Sequence, residues 1–87
     1  MSLTDDFNLA ASQSKELTKR PSNDELLELY ALFKQGSEGD VAGDRPGGFD
    51  FKAIAKYDAW AGKKGMSRDD AMQKYVDLVA RLKAQYS

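Results

Sequence analysis

The 87-residue sequence predicts an all-α protein, a four-helix bundle of up-down-down-up topology with a long loop between the second and third helices. Three observations carry that expectation. Four stretches repeat apolar residues at helical spacing, and no stretch alternates apolar with polar residues as a half-buried strand does. The third is the connection after the second stretch, which is far longer than the other two.

The first helix is expected over about residues 5–18, with Phe7, Ala10, Ala11, Ser14 and Leu17 on one stripe. Thr4 is its cap, and Asp5 and Asp6 sit where the helix dipole favours negative charge. Pro21 closes the stretch, because the residue before a proline avoids the helical region. The second helix opens on Ser22-Asn23-Asp24-Glu25, a capping box in which hydroxyl and carboxylate each satisfy an orphan N–H. Leu26, Leu27, Leu29, Tyr30, Leu32 and Phe33 are its apolar residues, and Gly36 is expected to stop it. The third helix follows Asp50 over about 51–62, with Ile54, Tyr57, Trp60 and Ala61 in phase and Gly62 and Gly65 at its exit. The fourth starts at Ser67-Arg68-Asp69-Asp70 and carries Met72, Tyr75, Val76, Val79, Leu82 and Tyr86 on a stripe.

Residues 36–50 hold five glycines and Pro46. A second helix of about 15 residues measures roughly 22 Å. A link of about 13 residues spans up to roughly 43–47 Å, enough to travel back along the whole helix. The second and third helices can therefore run parallel, whereas the short links at 19–22 and 63–66 demand antiparallel neighbours. Such an order leaves room for a groove between helices.

Composition narrows the function. Area scaling gives a folded surface of roughly 5,100 Å², enough for one core and for one domain over 1–87. With neither Cys nor His, a disulfide framework, a thiolate or imidazole metal site, and Ser-His or Cys-His catalysis are all excluded. No catalytic or metal-ligating set emerges, and a binding module becomes the favoured class. A net charge of −1 argues against a protein that embraces bulk nucleic acid or an anionic bilayer. No apolar run of 18 residues, signal-peptide core or lipidation motif is present, so a soluble cytoplasmic protein without a stable membrane anchor is expected. Gly43–Gly48 has the glycine spacing of a phosphate loop, but Phe49-Asp50 follows where Lys-Ser/Thr is required. The acids of the same segment miss the EF-hand spacing.

The lysines are more informative. Lys15, Lys52 and Lys56 have no acid three or four residues away, and Lys34 has only Glu38, beyond the expected glycine stop. Lys52 and Lys56 are themselves a like-charge pair one turn apart. Residues 22–44 carry a net −5 and residues 45–64 a net +3, which suits a small, multiply charged anion near the third helix. Tyr30, Phe33 and Lys34 share one face of the second helix, where a ring can stack a nucleobase while the lysine meets a phosphate. The plainer alternative is that the aromatic stripe is core and the lysines face solvent, as in a helical protein–protein interaction module without a small-molecule ligand.

Many of these residues stand in one ordered pattern: Arg45-Pro46-Gly47, Asp50-Phe51, Ala55-Lys56-Tyr57-Asp58-Ala59-Trp60, Lys64-Gly65-Met66-Ser67 and Asp70-Ala71-Met72. Upstream lie Lys19-Arg20-Pro21-Ser22 and Leu29-Tyr30-Ala31-Leu32-Phe33-Lys34-Gln35. Over nearly its whole length the chain thus resembles the acyl-CoA-binding protein family. The resemblance implies a four-helix bundle with an overhand loop that carries or buffers long-chain fatty acyl-CoA inside the cell, as a monomer, without catalysis or a cofactor. Acyl-CoA-using enzymes are the implied partners.

Position by position, the resemblance implies that Tyr30, Lys34 and Lys56 hold the 3′-phosphate and ribose end of coenzyme A, with Lys15 and Lys52 as further headgroup contacts. Tyr75 matches the tyrosine beside the nucleotide and thioester, and Leu26 and Leu27 match positions along the acyl groove. Ala31, Leu32, Phe33 and Tyr57 complete the implied ligand-binding set. Phe33 stands where the family often has a second tyrosine, Tyr57 replaces a frequent tryptophan near the acyl chain, and Ser14 replaces an aliphatic residue of the first helix.

Overall fold

The structure, a computed structural model, describes residues 2–86. Four helices follow in order: α1 Leu3–Ser14, α2 Asn23–Glu38, α3 Phe51–Ala61 and α4 Arg68–Tyr86. The described residues contain no strand.

Tertiary hydrogen bonds fix the helix directions. Trp60 Nε1, near the end of α3, donates to the Gly39 carbonyl just past the end of α2 (2.9 Å), so α2 and α3 run parallel. Arg68 Nη2 at the start of α4 donates to the Ser37 carbonyl (2.9 Å), while the Tyr86 hydroxyl at its end donates to Glu25 Oε1 (2.7 Å). Helix α4 is therefore antiparallel to α2. Tyr75 reaches Ser14 (3.3 Å) and Thr18, past α1, donates to the Tyr86 carbonyl, so α1 runs parallel to α4. The order is up-down-down-up.

Helix α3 contributes nothing to the main apolar cluster. That cluster joins Phe7 and Ala10 of α1, Leu29 and Leu32 of α2, and Ala71, Met72, Tyr75, Leu78, Val79 and Leu82 of α4. Helix α3 is held instead by Trp60 and by polar ties. The Arg45 guanidinium grips Asp58 in a two-bond fork (2.8 and 2.9 Å), the Tyr57 hydroxyl donates to the Gly43 carbonyl (3.0 Å), and Lys63 meets Glu28 (2.6 Å). Gln35, fully buried in α2, donates to Asp40 Oδ1 and to the Met66 carbonyl (both 2.8 Å). It ties the end of α2 to the long connection and to the α3–α4 link. One wall of the molecule is thus attached outside the core, and the exposed surface of 5594 Å² exceeds the expectation from chain length.

Three helix ends differ from the sequence reading. Ser2, not Thr4, caps α1, its hydroxyl accepting from the Asp5 amide (3.1 Å). Helix α1 ends at Ser14, well before Pro21. The Lys15 and Glu16 amides bond three residues back and tighten the chain out of α-geometry, and Ser14 Oγ takes the Ala11 carbonyl (2.8 Å). Gly36 does not stop α2. It lies inside the helix because a Cβ there would stand 3.1 Å from Met72 Cγ and 3.2 Å from the Phe7 ring. Gly39, with φ +84°, ends the helix one turn later.

Candidate functional site

Parallel α2 and α3 leave a groove of about 410 Å³ between their N-terminal halves. From α2 and its approach come Arg20, Asn23, Leu26, Leu27 and Tyr30; from α3 come Phe51, Lys52, Ala55 and Lys56. Helical phase explains both sets. Asn23, Leu26, Leu27 and Tyr30 recur at i, i+3, i+4 and i+7, and Phe51, Lys52, Ala55 and Lys56 form two adjacent rows one turn apart. The floor and walls are leucine, alanine and the phenylalanine ring, and the rim is cationic.

The two ends of the groove differ. At one, Lys56 Nζ lies 5.4 Å from the centre of the Tyr30 ring, a cation over an aromatic face. At the other end, toward the helix N-termini, sit Arg20, Asn23, Phe51 and Lys52, with Asn23 about 10 Å along α2 from Tyr30 and Lys52 one turn, about 6 Å, along α3 from Lys56. There Arg20 Nη2 donates to Asn23 Oδ1 (3.0 Å). Lys52 and Lys56, the like-charged pair of the sequence, both open onto this one hollow.

Beside Tyr30 on the same face of α2, Phe33 joins a three-ring cluster. It stacks on Phe7 (centroids 5.3 Å, 20° between planes) and tilts against Tyr75 (5.8 Å). Tyr75 meets Phe7 edge-on at 5.2 Å. Phe33 stays 37% exposed, whereas Tyr75 is buried, and burial pushes its phenol pKa up against the opposing hydrogen bond to Ser14 Oγ. Ser14 thus gives Tyr75 a polar partner. Lys15 follows it, exposed at the end of α1.

Lys15, Phe33 and Tyr75 do not line the groove, and four further expected ligand contacts, Lys34, Tyr57, Ala31 and Leu32, are placed elsewhere as well. Lys34 is not unpaired: α2 continues through Gly36, so Glu38 one turn on forms an ion pair with it. Its ammonium also lies 4.9 Å from the centre of the Trp60 ring. Tyr57 is turned off the groove, since it sits roughly 100° around α3 from Lys56, and anchors the long connection through Gly43. Ala31 and Leu32 are core residues; Leu32 stands roughly 200° from Tyr30 and lines a separate depression with Glu28, Lys74, Asp77, Leu78 and Arg81. The sequence reading missed Arg20, Asn23, Phe51 and Ala55 as lining residues. Phe51 and Ala55 had a signal: they neighbour Lys52 and Lys56 with the same one-turn spacing.

The fold and site define a small helical binding protein whose apolar groove carries a cationic rim suited to an anionic amphiphile. Comparison with known proteins gives the class its family. Residues 4–79 match the family profile described as "Acyl CoA binding protein". The chain is 55% identical over 84 residues to "Acyl-CoA-binding protein homolog 1" of Caenorhabditis elegans, covering 97% of this chain and 98% of that one. It is 49% identical over 85 residues to the "Acyl-CoA-binding protein homolog" of Drosophila melanogaster, covering 98% and 99%. Among solved structures, the Oryza sativa acyl-CoA-binding protein 2 superposes with a TM-score of 0.92 at 37% identity, over 97% of this chain and 93% of that one. The yeast acyl coenzyme A binding protein does so with 0.75 at 47% identity, over 93% and 94%. The chain belongs to the acyl-CoA-binding protein family.

Proposed function

We propose that this protein, as a single domain over 1–87, binds medium- to long-chain fatty acyl-CoA thioesters non-covalently. It acts as a monomeric cytoplasmic carrier and buffer pool, handing the thioester unchanged to enzymes that use it. The observation that carries the reading is the like-charged Lys52–Lys56 pair opening with Tyr30 onto an apolar groove. Two cations held one turn apart cost stability unless an anion neutralises them. In this reading Tyr30 and Lys56 take the 3′-phosphate and ribose end. Lys34 joins them by leaving Glu38, an exposed ion pair worth under about 1 kcal/mol and therefore readily exchanged for phosphate. Lys15, Lys52, Phe33 and Tyr75 contact the headgroup, and the acyl chain follows Leu26 and Leu27 toward Phe51.

Magnitudes say how the two halves of the ligand share the work. About a dozen buried methylenes contribute roughly 10 kcal/mol at ~0.8 each. Each charge-assisted bond to phosphate adds about 1.5–3 kcal/mol. Association costs an estimated 4–15 kcal/mol, so neither half binds tightly alone. In calorimetry, free coenzyme A and free palmitate are expected to bind orders of magnitude more weakly than palmitoyl-CoA. Lys56→Ala should lose about 10–100-fold in palmitoyl-CoA affinity with its unfolding midpoint unchanged. Equal affinity for either fragment, or an indifferent Lys56→Ala, refutes the carrier reading.

A further inference from the structure

Helices α2 and α3 share one motif in opposite order. In α2 a ring precedes an ammonium by one turn, Tyr30 then Lys34; in α3 the ammonium comes first, Lys56 then Trp60. Because the helices run parallel, each lysine meets the other helix's ring. Lys56 Nζ lies 5.4 Å from the centre of Tyr30, and Lys34 Nζ 4.9 Å from that of Trp60. The two rungs differ in one respect. Lys56 has no acidic partner among the described residues, whereas Lys34 also holds Glu38, the last residue of α2. Nothing local favours an acid there. A carboxylate in the last turn meets the negative end of the helix dipole, and lysine before glutamate is the weaker order for a pair four residues apart. Nor does Glu38 belong to the polar node beside it: Asp40 accepts from Gln35 and from the Gly65 amide, and Glu28 pairs with Lys63. The exposed Glu38 carboxylate has Lys34 as its one partner among the described residues.

We propose that Glu38 is an intramolecular competitor of the ligand: it holds the Lys34 ammonium away from the Tyr30–Lys56 end of the groove, so that a 3′-phosphate must displace it. Glu38 thereby lowers the affinity for thioesters that carry that phosphate and narrows the margin over those that lack it. The proposal rests on the carrier reading above and adds to it a residue that touches no ligand. The geometry gives Lys34 two destinations. Tyr30 stands one turn before it and Glu38 one turn after, about 6 Å along the axis in either direction. Helical side chains lean toward the N-terminus, so a Lys34 released from Glu38 falls toward Tyr30, where Lys56 already offers a cation. Trp60 is fixed by its own bond to the Gly39 carbonyl, so the exchange is a movement of one side chain and leaves α3 in place. An exposed pair is weak enough to be displaced and strong enough to be felt. For a carrier that must hand its cargo on, a resident carboxylate that reclaims the lysine favours release.

Calorimetry on the full chain with palmitoyl-CoA and with palmitoyl-dephospho-CoA, which lacks the 3′-phosphate, provides the test. Glu38→Gln should bind palmitoyl-CoA about two- to fivefold more tightly and palmitoyl-dephospho-CoA as wild type does. Its urea midpoint should not fall, because the charge removed opposes the helix dipole. In a Lys34→Gln background the same Glu38→Gln change should leave both affinities unaltered, since the competition needs both partners. Unchanged or weaker palmitoyl-CoA binding by Glu38→Gln, an equal gain for both thioesters, or a gain that persists without Lys34 each overturns the proposal while the carrier reading stands. A lowered urea midpoint overturns it too, by giving Glu38 a structural role. A wild-type chain that binds neither thioester refutes the carrier reading and takes this proposal with it.

Discussion

Gln35 is the residue whose replacement most sharply tests how α3 is held. Its side chain is 0% exposed, both Nε2 bonds go to oxygen acceptors, and Oε1 meets no donor among the described groups. In Gln35→Glu both contacts become oxygen facing oxygen, one of them the Asp40 carboxylate. The lost bonds are worth about 1.5–3 kcal/mol to the charged acceptor and about 1 to the carbonyl. A buried, unpaired charge carries a cost of about 3–5 kcal/mol that overlaps these terms. A net loss of about 4–6 kcal/mol is expected at neutral pH, comparable with the total stability of about 4–13 kcal/mol usual for this length. Gln35→Met loses the same two bonds without introducing charge, and removes the unpartnered Oε1, so about 1–2 kcal/mol is expected. The introduced carboxyl is protonated more readily folded than unfolded, because burial and Asp40 both disfavour its charge. Its folded pKa is raised, the folded state binds the extra proton, and the deficit of Gln35→Glu relative to wild type must grow as pH rises above about 4.3. Urea unfolding followed by the single tryptophan, Trp60, measures both variants at pH values on either side of that window. Equal losses for the two variants, or a deficit that does not grow with pH, would refute the reasoning.

Other outcomes follow from the same packing. Gly36→Ala gains about 1 kcal/mol in helix propensity but presses on a Phe7 ring already wedged by Phe33 and Tyr75, so a net loss of about 1 kcal/mol is expected in urea unfolding. Three carboxylates are held below the usual range: half-buried Glu25 chiefly by the Tyr86 hydroxyl, and exposed Asp40 and Asp58 chiefly by the Gly65 amide and the Arg45 guanidinium. Depressed folded pKa values give stability that is present above the unfolded values of about 4 and lost as pH falls through the folded ones. The thermal midpoint should therefore drop below about pH 4, and less steeply in Asp58→Asn. Because α3 lies outside the main cluster, its amides should exchange with solvent faster than those of α2 and α4 in hydrogen-exchange measurements, and palmitoyl-CoA should slow them selectively.

What the sequence made legible was whatever helical phase or chain length alone decides. Lys52 and Lys56 share a face because they are four residues apart, and the parallel α2 and α3 follow from a connection long enough to return along a helix. What it hid depended on contacts between distant segments. Gly36 and Gly39 both look like helix stops; only the arrival of Phe7 from α1 and Met72 from α4 turns the first into a packing position. That one misplacement propagated, because a helix stopped at Gly36 leaves Lys34 without the Glu38 partner that the longer helix supplies. Tyr57 is a different case. Its chemistry suited a ligand contact, yet one residue after Lys56 is a rotation of roughly 100°, which already points it away from the shared face.

The groove persists because the chain does not need to close it. Stability comes from the cluster shared by α1, α2 and α4, and α3 is fastened at its C-terminal end by Trp60, Asp58 and the Gln35–Asp40 node, and through Tyr57 to the long connection. The N-terminal half of α3 is therefore free to carry residues that a packed interface would reject: two neighbouring lysines and an exposed phenylalanine. Filling the groove with leucines would join α3 to the core but draw the lysine ammonium groups out of water without partners, which costs free energy. An apolar cleft with unneutralised cations on its rim is stable only because it borders the bundle without supporting it. That separation of core from groove lets Lys56 be removed without unfolding the protein, and it makes α3 the element whose protection should report on ligand.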